Sequence, residues 1–578
     1  MKEENIRHTL SHLLAASVKE LYPDTKLTLG PAVENGFYYD MEFTSPISDT
    51  DLGRIEKKMK ALLPSWKEFS SRVVSYDEAL DIFKDNPYKL ELVKEINDRG
   101  EEITLYTCGG FTDLCRGGHV EFPSSEISPE GFKLDKTAGA YWRGDEKNKM
   151  LTRVYGLAFS SKDELEKFIE VRAEAVKRDH RKIGKELDLF VFSELVGPGL
   201  PLWTPRGTIL RNELDSYVWE LRKKQGYSQV DIPHITKKEL FETSGHWEKF
   251  GDELFRVKSR EGHEFAMKPM NCPFHTQIFA RTPHSYKDMP ARYANTTKVY
   301  RDEQTGELHG ISRVRSITQD DGHVFCREDQ IDEEVDKIWS IVEAFYFASG
   351  FEIVPTLSIH DKDDMGKYLG SLDTWESAVS KLRSIVKKRG HEVVEAKGEA
   401  AFYGPKIDFI SKDSLGRQWQ VATIQLDMNM PERFNLSCIN EEGEKERIFM
   451  IHTAVMGSVE RFISVLIEHT YGKFPVWMNP SQVRILAVSE KFQDYAMKIA
   501  DELRENNIRV EISTPNETLG KRIRKAQTDK VPYILVVGEK EVQSDTVSVR
   551  HYRDEDLGSM SKDEFTQRIL KDIKMRVF

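Results

Sequence analysis

The sequence predicts a multidomain protein that combines α+β and α/β units. Its 578 residues exceed what one hydrophobic core can organise, so about three to five domains are expected. The charged fraction of 31% and the apolar fraction of 39% are those of an ordinary globular chain. Near the carboxyl terminus, strands and helices alternate in a βαβαβ pattern, which predicts a small parallel sheet with helices on its faces.

Charge and cysteine usage exclude several classes of protein. The net charge of −12 excludes a uniformly basic protein that wraps nucleic acid, although one domain can still carry a basic face. The five cysteines are odd in number and widely scattered, which predicts a reducing, cytoplasmic location. The amino terminus lacks the pattern of a signal peptide, and no apolar stretch is long enough to span a bilayer. No membrane partner is expected.

Four segments follow one another along the chain. Residues 1–160 alternate short strands and helices with frequent turns, as in an α+β domain. Residues 161–185 carry apolar side chains at helical spacing and predict a helix that links two domains. Residues 186–475 form the largest unit and are rich in strand-like runs. Residues 476–578 carry the βαβαβ pattern.

The most informative motif begins at Arg301-Asp302-Glu303 and continues through Arg313 to His323. It is typical of two strands joined by a loop. Far downstream, Arg461 adds a third arginine at the start of an apolar helix. Guanidinium groups pair with phosphate oxygens and stack on purine rings, so the three arginines predict a nucleotide triphosphate site.

A second cluster lies in the first segment. His8 and His12 are one helical turn apart, and Cys115 and His119 repeat that spacing. Two interpretations are open from the residues alone: a four-ligand zinc site, and a metal-free hydrolytic pocket in which imidazoles position water. Ligand chemistry by itself favours the metal.

Several segments together carry a resemblance to a known family. Helix, strand and proline, then strand-loop-strand, then a Gly-x-x-Glu-Arg helix occur in the order of the class II aminoacyl-tRNA synthetase motifs, at residues 206–233, 292–325 and 457–468. With residues 244–247, 267–273 and 401–406, the sequence resembles the threonyl-tRNA synthetases over nearly its whole length.

That resemblance implies a fold and an activity for each segment. It implies an α+β editing domain at residues 1–160, a class II catalytic domain with an antiparallel sheet at residues 186–475, and an α/β anticodon-binding domain at residues 476–578. The implied activity is a threonine–tRNA ligase that also hydrolyses mischarged seryl-tRNA(Thr). The implied partners are tRNA(Thr), threonine, ATP with magnesium, and a second copy of the chain in a homodimer.

The resemblance assigns roles at the nucleotide site. Arg301 is expected to bind the α-phosphate and the amino-acid carboxylate, and Glu303 the adenine. Arg313 is expected at the phosphates, and Arg461 on the adenine and the γ-phosphate. Ile317 stands where many relatives have an aromatic residue, so adenine stacking is expected to depend more on Arg461.

One zinc ion per chain is implied at Cys272, His323 and His452, which follow no short zinc motif. Zinc with an open position takes the amino and hydroxyl groups of threonine and rejects valine, which an apolar pocket excludes only about a hundredfold. The other implied residues of this domain hold threonine, line the rim or relay a proton, and are Gln319, Asp321, Tyr403, Gln425, Lys406 and His246.

For the N-terminal cluster, the resemblance favours the metal-free interpretation. Serine also carries amino and hydroxyl groups, and its missing methyl group costs only about 1–3 kcal/mol of binding, so the family needs an editing pocket. The implied editing residues are His8, His12, Cys115, His119, Asp113, Lys89 and Tyr38. Gly118 replaces a common proline, and we expect it to loosen the loop.

In the last segment, the resemblance implies that Glu541 and Arg550 read anticodon bases. The basic run at residues 520–530 is expected to face phosphates. Bacterial members usually carry a small ubiquitin-like domain ahead of the editing domain, and we expect this chain to lack it.

Two other functions were weighed against a ligase with serine editing. One is a hydrolase of mischarged tRNA with a degenerate synthetase body, and the other is a non-catalytic RNA-binding paralogue. The first requires the loss of an arginine from the nucleotide site, and the second is disfavoured by intact nucleotide and zinc residues. All of these residues are present, so the ligase is the expected function.

Overall fold

The computed structural model describes residues 2–552 and 555–576. The chain divides into two compact units, Met1–Glu174 and Ala175–Phe578. The expected fold class, a multidomain protein with α+β and α/β parts, is confirmed. Among the described residues, no helix combines the length and apolarity needed to cross a lipid bilayer.

The first unit is an α+β domain built around helix α1. Its helices are α1 (Lys2–Leu21), α2 (Leu52–Leu62), α3 (Tyr76–Ile82), α4 (Pro87–Asp98) and α5 (Pro123–Glu126), followed by α6 (Lys162–Arg178). Its strands are β1 (Lys26–Leu27), β2 (Ala32–Val33), β3 (Gly36–Glu42), β4 (Ser70–Val74), β5 (Ile103–Cys108), β6 (Phe111–Leu114), β7 (Phe132–Tyr141) and β8 (Met150–Ala158). One sheet has the order β1-β3-β8-β7 with β2 beside β3, and another has the order β4-β5-β6. Leu10, Leu13, Leu14 and Val18 of α1 are buried at helical spacing, and α1 contacts α2 and β3.

The expected single linker helix is two helices in the structure. Helix α6 ends at Arg178, and α7 (His180–Glu186) begins two residues later. Asp179 separates them because its backbone is non-helical, with φ −50° and ψ 121°. Its carboxylate accepts the N–H of Arg181 at 2.8 Å, so Asp179 starts α7 as an N-cap.

The second unit contains the large antiparallel sheet. After α7, its helices up to residue 470 are α8 (Pro205–Lys224), α9 (Lys238–Ser244), α10 (His246–Phe250), α11 (Cys272–Ala280), α12 (Ile331–Ser349), α13 (Leu372–Lys388), α14 (Asn429–Arg433) and α15 (Val459–Thr470). The strands are β9 (Phe190–Val191), β10 (Leu202–Trp203), β11 (Ser228–Gln229), β12 (Ile235–Lys237), β13 (Arg256–Lys258), β14 (Glu264–Met267), β15 (Ala291–Tyr300), β16 (Ser316–Cys326), β17 (Ile353–Ile359), β18 (Glu395–Lys397), β19 (Lys406–Lys412), β20 (Gln418–Asp427), β21 (Ser437–Ile439), β22 (Lys445–Arg447) and β23 (Phe449–Ala454). The main sheet has the order β11-β15-β16-β23-β20-β19-β17-β18 and is antiparallel except at its two edges.

The register of this sheet brings distant residues together. His323 on β16 lies opposite His452 on β23, and His452 lies opposite Gln425 on β20. Directly opposed residues on neighbouring strands have their side chains within contact distance. Residues more than 120 positions apart in sequence are therefore adjacent across the sheet.

The remainder of the second unit has a mixed sheet. Its strands are β24 (Val483–Ala487), β25 (Val510–Ser513), β26 (Tyr533–Val537), β27 (Thr546–His551) and β28 (Glu555–Ser561). Its helices are α16 (Gln493–Glu505), α17 (Leu519–Thr528), α18 (Glu539–Ser544) and α19 (Lys562–Met575). The strands β25, β24 and β26 are parallel, as the βαβαβ pattern predicts, whereas β27 and β28 are antiparallel. The segment between β27 and β28 is too short for a crossover, so these strands form a hairpin.

A buried ion pair joins α8 to the middle of the main sheet. The guanidinium of Arg222 lies 2.5 Å from Asp320 Oδ1, and both side chains are buried. The other carboxylate oxygen of Asp320 accepts the N–H groups of Val455 and Met456 at 2.9 and 2.5 Å. One carboxylate thus ties α8, β16 and the segment after β23 together.

We expect Arg222→Met to lower the free energy of unfolding by about 3–5 kcal/mol, because the carboxylate of Asp320 would stay buried without its cation. Lys224→Met is the matched control, since Lys224 lies on the same helix in an exposed pair with Glu220. The control should change stability by less than about 0.5 kcal/mol. Urea unfolding followed by tryptophan fluorescence measures both. Equal stability of the two variants would contradict the assigned role of the pair.

Candidate active sites

Three arginines converge on one cavity of the second unit, which has a volume of about 570 Å³. Arg301 follows β15, Arg313 lies in the loop before β16, and Arg461 lies in the first turn of α15. Ser458 begins that helix by accepting the N–H of Arg461 at 3.2 Å, which fixes the position of Arg461 at the cavity. The nucleotide-site arginines expected from the sequence are therefore brought together.

Arg301 is the most buried of the three. Burial lowers the pKa of its guanidinium, and its Nε is a buried donor that has no partner among the described residues. The guanidinium lies 5.0 Å from the Phe250 ring. A buried cation with an unused donor is suited to bind an anion.

Glu303 and Arg313 form an ion pair at the exposed side of the cavity. The Nε of Arg313 donates to Glu303 at 2.8 Å, and its Nη2 lies 3.0 Å from Glu307. Ile317 also lines the cavity.

Trp419 is a cavity residue that the sequence reasoning missed. Its ring lies 5.8 Å from the guanidinium of Arg461, and both residues line the cavity with Ile317. An aromatic face beneath Arg461 holds the guanidinium plane by a cation–π contact. Although Ile317 is aliphatic, the arginine cavity therefore contains an aromatic side chain.

Next to this cavity, Cys272, His323 and His452 form a buried cluster that could hold a metal ion. Their ligand atoms lie within 4.8 Å of one another. Cys272 begins α11, and the two histidines face each other across β16 and β23. The Nε2 of His323 lies 3.1 Å from the Nδ1 of His452.

Hydrogen bonds determine which histidine nitrogens face the cluster. The Nε2 of His452 lies 2.9 Å from Asp427 Oδ2, so this nitrogen donates and leaves Nδ1 as the free acceptor. The Nδ1 of His323 is 2.7 Å from Nδ1 of His275, which leaves Nε2 directed to the cluster. Such outer contacts fix the orientation of metal-binding imidazoles.

The donor set fits a zinc ion. One sulfur and two imidazole nitrogens are common zinc ligands, and three protein ligands leave a fourth position open. Burial raises the pKa of Cys272 well above its usual range, and Asp321 and Asp427 raise it further. A bound dication would offset this cost by stabilising the thiolate.

The residues expected to hold threonine surround this cluster. Tyr403 stacks on His452 with ring centroids 4.8 Å apart, and its hydroxyl donates to Gln425 Oε1 at 2.5 Å. Asp321 accepts from Asn271 at 3.1 Å, and Gln319 lines the arginine cavity. Gln319, Asp321 and His323 stand at alternate positions of β16 and so share one face of the strand, which places the cluster beside the arginine cavity.

Two further expected residues have well-defined partners. His246 is buried, with Nδ1 2.8 Å from Ser244 Oγ and Nε2 3.5 Å from Cys272 Sγ. The Nζ of Lys406 lies 2.6 Å from Asp408, whose carboxylate also accepts from Ser358 and Gln420. Asp408 thereby orients the lysine.

The first unit holds the second candidate site, in a cavity of about 630 Å³. His8, His12 and Cys115 line this cavity, and His119 contacts them, with Cys115 Sγ 3.6 Å from His8 Nε2 and 3.3 Å from His119 Nε2. The rings of His8 and His119 stack at 4.4 Å, and His12 meets both edge-on. These four residues could also hold a metal ion.

A buried acid and lysine lie beneath this cluster. Asp113 Oδ1 is 2.5 Å from Lys89 Nζ, and Asp113 Oδ2 is 3.7 Å from His12 Nδ1. Tyr39, which the sequence reasoning missed, donates its hydroxyl to Asp113 at 2.6 Å. Tyr38 lines the cavity instead with its ring 3.9 Å from the guanidinium of Arg153.

The histidines of this cavity are uncharged at neutral pH. Burial lowers the pKa of His8, lowers that of His12 well below its usual range, and lowers the pKa of His119 to about 2. Burial also raises the pKa of Cys115 to about 11, so its sulfur is a thiol. Neutral imidazoles can accept a hydrogen bond from water, and His8, whose pKa is lowered less than those of His12 and His119, is the best base of the three.

The loop that presents Cys115 and His119 contains two glycines with positive φ. Gly118 has φ +84°, which proline cannot adopt. Gly117 before it has φ +94°, and an added Cβ there would lie 2.6 Å from the hydroxyl of Tyr106. The backbone at Gly118 therefore differs from any that carries proline at this position.

In the C-terminal part, the expected base-reading residues have local partners. Glu541 accepts the N–H of Gly538 at 2.9 Å and so caps α18, and Arg550 lies 3.4 Å from Asp556. Arg522 is buried and donates to the carbonyls of Ser513, Glu517 and Ala487, so it stabilises the fold instead of facing phosphates.

Some of the missed residues left a signal in the sequence. His275 follows Cys272 by three positions in α11, a Cys-x-x-His spacing that puts both on one helix face. Asp427 and Trp419 gave no such signal, because only the pairing of β20 with β23 brings Asp427 to His452.

Comparisons with known proteins agree with this geometry. Residues 255–470 match the family described as "tRNA synthetase class II core domain (G, H, P, S and T)". Residues 482–572 match "Anticodon binding domain", and residues 103–155 match "Threonyl and Alanyl tRNA synthetase second additional domain".

Curated relatives match nearly the whole chain. The chain is 48% identical to a threonine–tRNA ligase of Flavobacterium johnsoniae, with 99% of this chain and 89% of the relative covered. It is 49% identical to a threonine–tRNA ligase of Porphyromonas gingivalis, with 98% and 87% covered.

A solved structure described as the RNA binding domain of threonyl-tRNA synthetase from Cryptosporidium parvum matches with a TM-score of 0.65 and 36% identity, covering 68% of this chain and 98% of that one. The three family matches and the 48% identity over 99% of the chain agree with the geometry of the two sites. The chain therefore belongs to the threonine–tRNA ligase family of class II aminoacyl-tRNA synthetases.

Proposed function

We propose that this chain activates threonine with ATP, transfers it to tRNA(Thr), and hydrolyses seryl-tRNA(Thr) in its first unit. The observation that carries the proposal is the adjacency of the arginine cavity and the Cys272, His323 and His452 cluster. An anion-binding cavity beside a selective donor set is what a threonine-activating enzyme requires. A hydrolase acting alone on mischarged tRNA would need neither.

Threonine activation depends on charge placement more than on proton transfer. The carboxylate of threonine attacks the α-phosphorus of ATP, and pyrophosphate leaves. Arg301 and Arg313 are positioned to offset the negative charge that builds on the phosphoryl oxygens, while magnesium accompanies the phosphates. Arg461 and Ile317 would hold the adenine between them, with Trp419 behind Arg461, and Glu303 would bind its edge.

Zinc is part of the proposal, one ion per chain, held by Cys272, His323 and His452. When bound, zinc would offer an open position to the amino and hydroxyl groups of threonine, which valine cannot occupy in the same way. Asp321, Gln319, Tyr403 and Gln425 would orient the amino acid. His246 would relay a proton when threonine passes to the tRNA ribose, and Lys406 would remain at the rim.

Editing in the first unit would be a hydrolysis of the seryl ester. Neutral His8, His12 and His119 would position a water by hydrogen bonds, and His8, whose pKa is lowered least, would accept its proton. Lys89, held by Asp113, would supply a positive charge nearby. Cys115 as a thiol donates a hydrogen bond rather than attacking. Tyr38 with Arg153 would contact the incoming tRNA end.

We also propose roles in tRNA binding and dimer formation, and the boundaries of the domains. Glu541 and Arg550 would contact anticodon bases, and two copies of the chain would form a homodimer in the cytoplasm. We propose the boundaries 1–160 for the editing domain, 161–185 for the linker, 186–475 for the catalytic domain and 476–578 for the anticodon-binding domain.

Threonine-dependent exchange between ATP and pyrophosphate tests the synthetic site. We expect Arg301→Ala and Cys272→Ser each to lower the exchange rate by at least about a hundredfold, because charge stabilisation or threonine binding is lost. Cys438→Ser is the control, since Cys438 is a buried thiol outside the site. Retained exchange in both site variants would refute the assignment.

Metal analysis by mass spectrometry tests the zinc proposal. The purified chain should contain one zinc, Cys272→Ser should contain none, and Cys115→Ala should keep its zinc. Two zinc ions per chain, one of them lost in Cys115→Ala, would instead identify the N-terminal cluster as a metal site.

Mischarging tests the editing pocket. The double variant His8→Ala/His12→Ala should accumulate seryl-tRNA(Thr) while threonyl-tRNA(Thr) forms at the wild-type rate, because the synthetic site is intact. Cys108→Ala, which alters a buried thiol of the same unit, should not accumulate it. Without mischarging in the double variant, the pocket is not the editor.

A further inference from the structure

A buried histidine outside both sites contacts the loop that carries Arg313. His180 is the first residue of α7 and is 1% exposed. It lies against residues 309–311 of the loop between β15 and β16, with the His309 ring 5.5 Å from its own. His309 and Arg313 of this loop line the nucleotide cavity.

Both ring nitrogens of His180 are engaged. Nδ1 lies 2.6 Å from Glu468 Oε1, which also accepts the backbone N–H of His180 at 3.1 Å. Because a carboxylate can only accept, Nδ1 carries the proton and Nε2 is an acceptor. Nε2 accepts the backbone N–H of Ile311 at 3.2 Å. His180 therefore connects the end of α15 to the loop backbone.

The loop is packed directly on this imidazole. Gly310 has φ +51°, and a Cβ added to it would lie 2.2 Å from His180 Nε2. Ile311 beside it is fully buried. The loop backbone approaches as closely as a residue without a side chain permits, so the loop packs directly against the imidazole.

The partner carboxylate extends the connection to the opposite side of the cavity. Glu468 Oε2 lies 2.5 Å from Arg417, whose Nε donates to Asp413 at 2.7 Å. The same Asp413 oxygen accepts the indole N–H of Trp419 at 2.9 Å. Trp419 in turn lies beneath Arg461. Glu468 thus joins the loop and the aromatic support of Arg461.

The hydrogen bonds of this cluster account for its geometry without a metal ion. Asp179, His180 and Glu468 are close enough to hold an ion. However, neither nitrogen of His180 is free, since one donates to Glu468 and the other accepts from Ile311. The cluster is a structural connection instead.

We propose that His180 is a positioning residue of the ATP site, which holds the Arg313 loop through the acceptor at Nε2 and the bond to Glu468. The inference rests on the proposed function, because it assigns ATP to the cavity that this loop borders. His180 does not touch the substrate. It acts on ATP binding through the loop and leaves threonine binding unchanged.

Two substitutions at His180 test the roles of its two ring nitrogens separately. His180→Asn keeps a donor near Nδ1 for Glu468 but is too short to accept from Ile311. His180→Gln places an amide oxygen near the Nε2 position and restores an acceptor. We expect His180→Asn to raise the KM for ATP roughly fivefold to tenfold, as for one lost buried hydrogen bond, and His180→Gln to recover most of it.

The KM values for ATP and for threonine are measured by pyrophosphate exchange, and ATP affinity is measured directly by calorimetry without threonine. The threonine KM should stay within about twofold of wild type. His469→Gln is the matched control, because His469 follows Glu468 on α15 and contacts the Gly350 carbonyl. His469→Gln should leave the KM for ATP unchanged even if it lowers the melting temperature.

The inference is overturned if His180→Asn lowers only the melting temperature, if both KM values rise equally, or if His180→Gln is as damaged as His180→Asn. These outcomes differ from a failure of the proposed function, in which the wild-type chain itself lacks threonine-dependent exchange. Calorimetric ATP binding by the wild type would then still report on the loop.

Discussion

The buried carboxylate of Asp320 is the constraint on which the catalytic unit depends. It holds Arg222 of α8 on one side and the backbone of Val455 and Met456 on the other. A second buried acid, Glu460, accepts from Thr318 at 2.7 Å through the backbone and at 2.6 Å through the hydroxyl. Three segments that are distant in sequence are thereby fixed relative to one another. The arginine cavity and the Cys/His/His cluster inherit their geometry from these contacts.

The fold and most residues of the candidate sites could be predicted from the sequence, but on different grounds. Local patterns predicted the helices and strands, and the arginine motif predicted an anion site from chemistry alone. The Cys272, His323 and His452 set came from resemblance, because its members meet only through the pairing of β16 with β23. We did not predict Trp419, Asp427 and Tyr39, because nothing in the sequence distinguishes them from residues that serve only the fold. The break at Asp179 was missed because the basic tract around it, residues 177–182, has no apolar residues whose spacing could show where the helix ends.

The two candidate sites contain the same residue types but differ in the groups that surround them. In the second unit, hydrogen bonds to Asp427 and His275 turn one nitrogen of each histidine toward Cys272. In the first unit, the rings of His8, His12 and His119 pack against one another beside an open cavity. Burial keeps these imidazoles neutral. The groups behind a Cys/His cluster thus determine which of its nitrogens are available to a ligand.

The backbone at Gly118 has a consequence for how such chains can be altered. Replacing an unusual residue by the one that most relatives carry is a standard route to a more stable protein. At this position the route is closed, because φ of +84° admits no proline ring, whatever space surrounds it. Proline at position 118 would require the loop backbone to move to a negative φ, and the segment that carries Cys115 and His119 would move with it. A substitution chosen for stability would thus alter the geometry of the first unit's cavity.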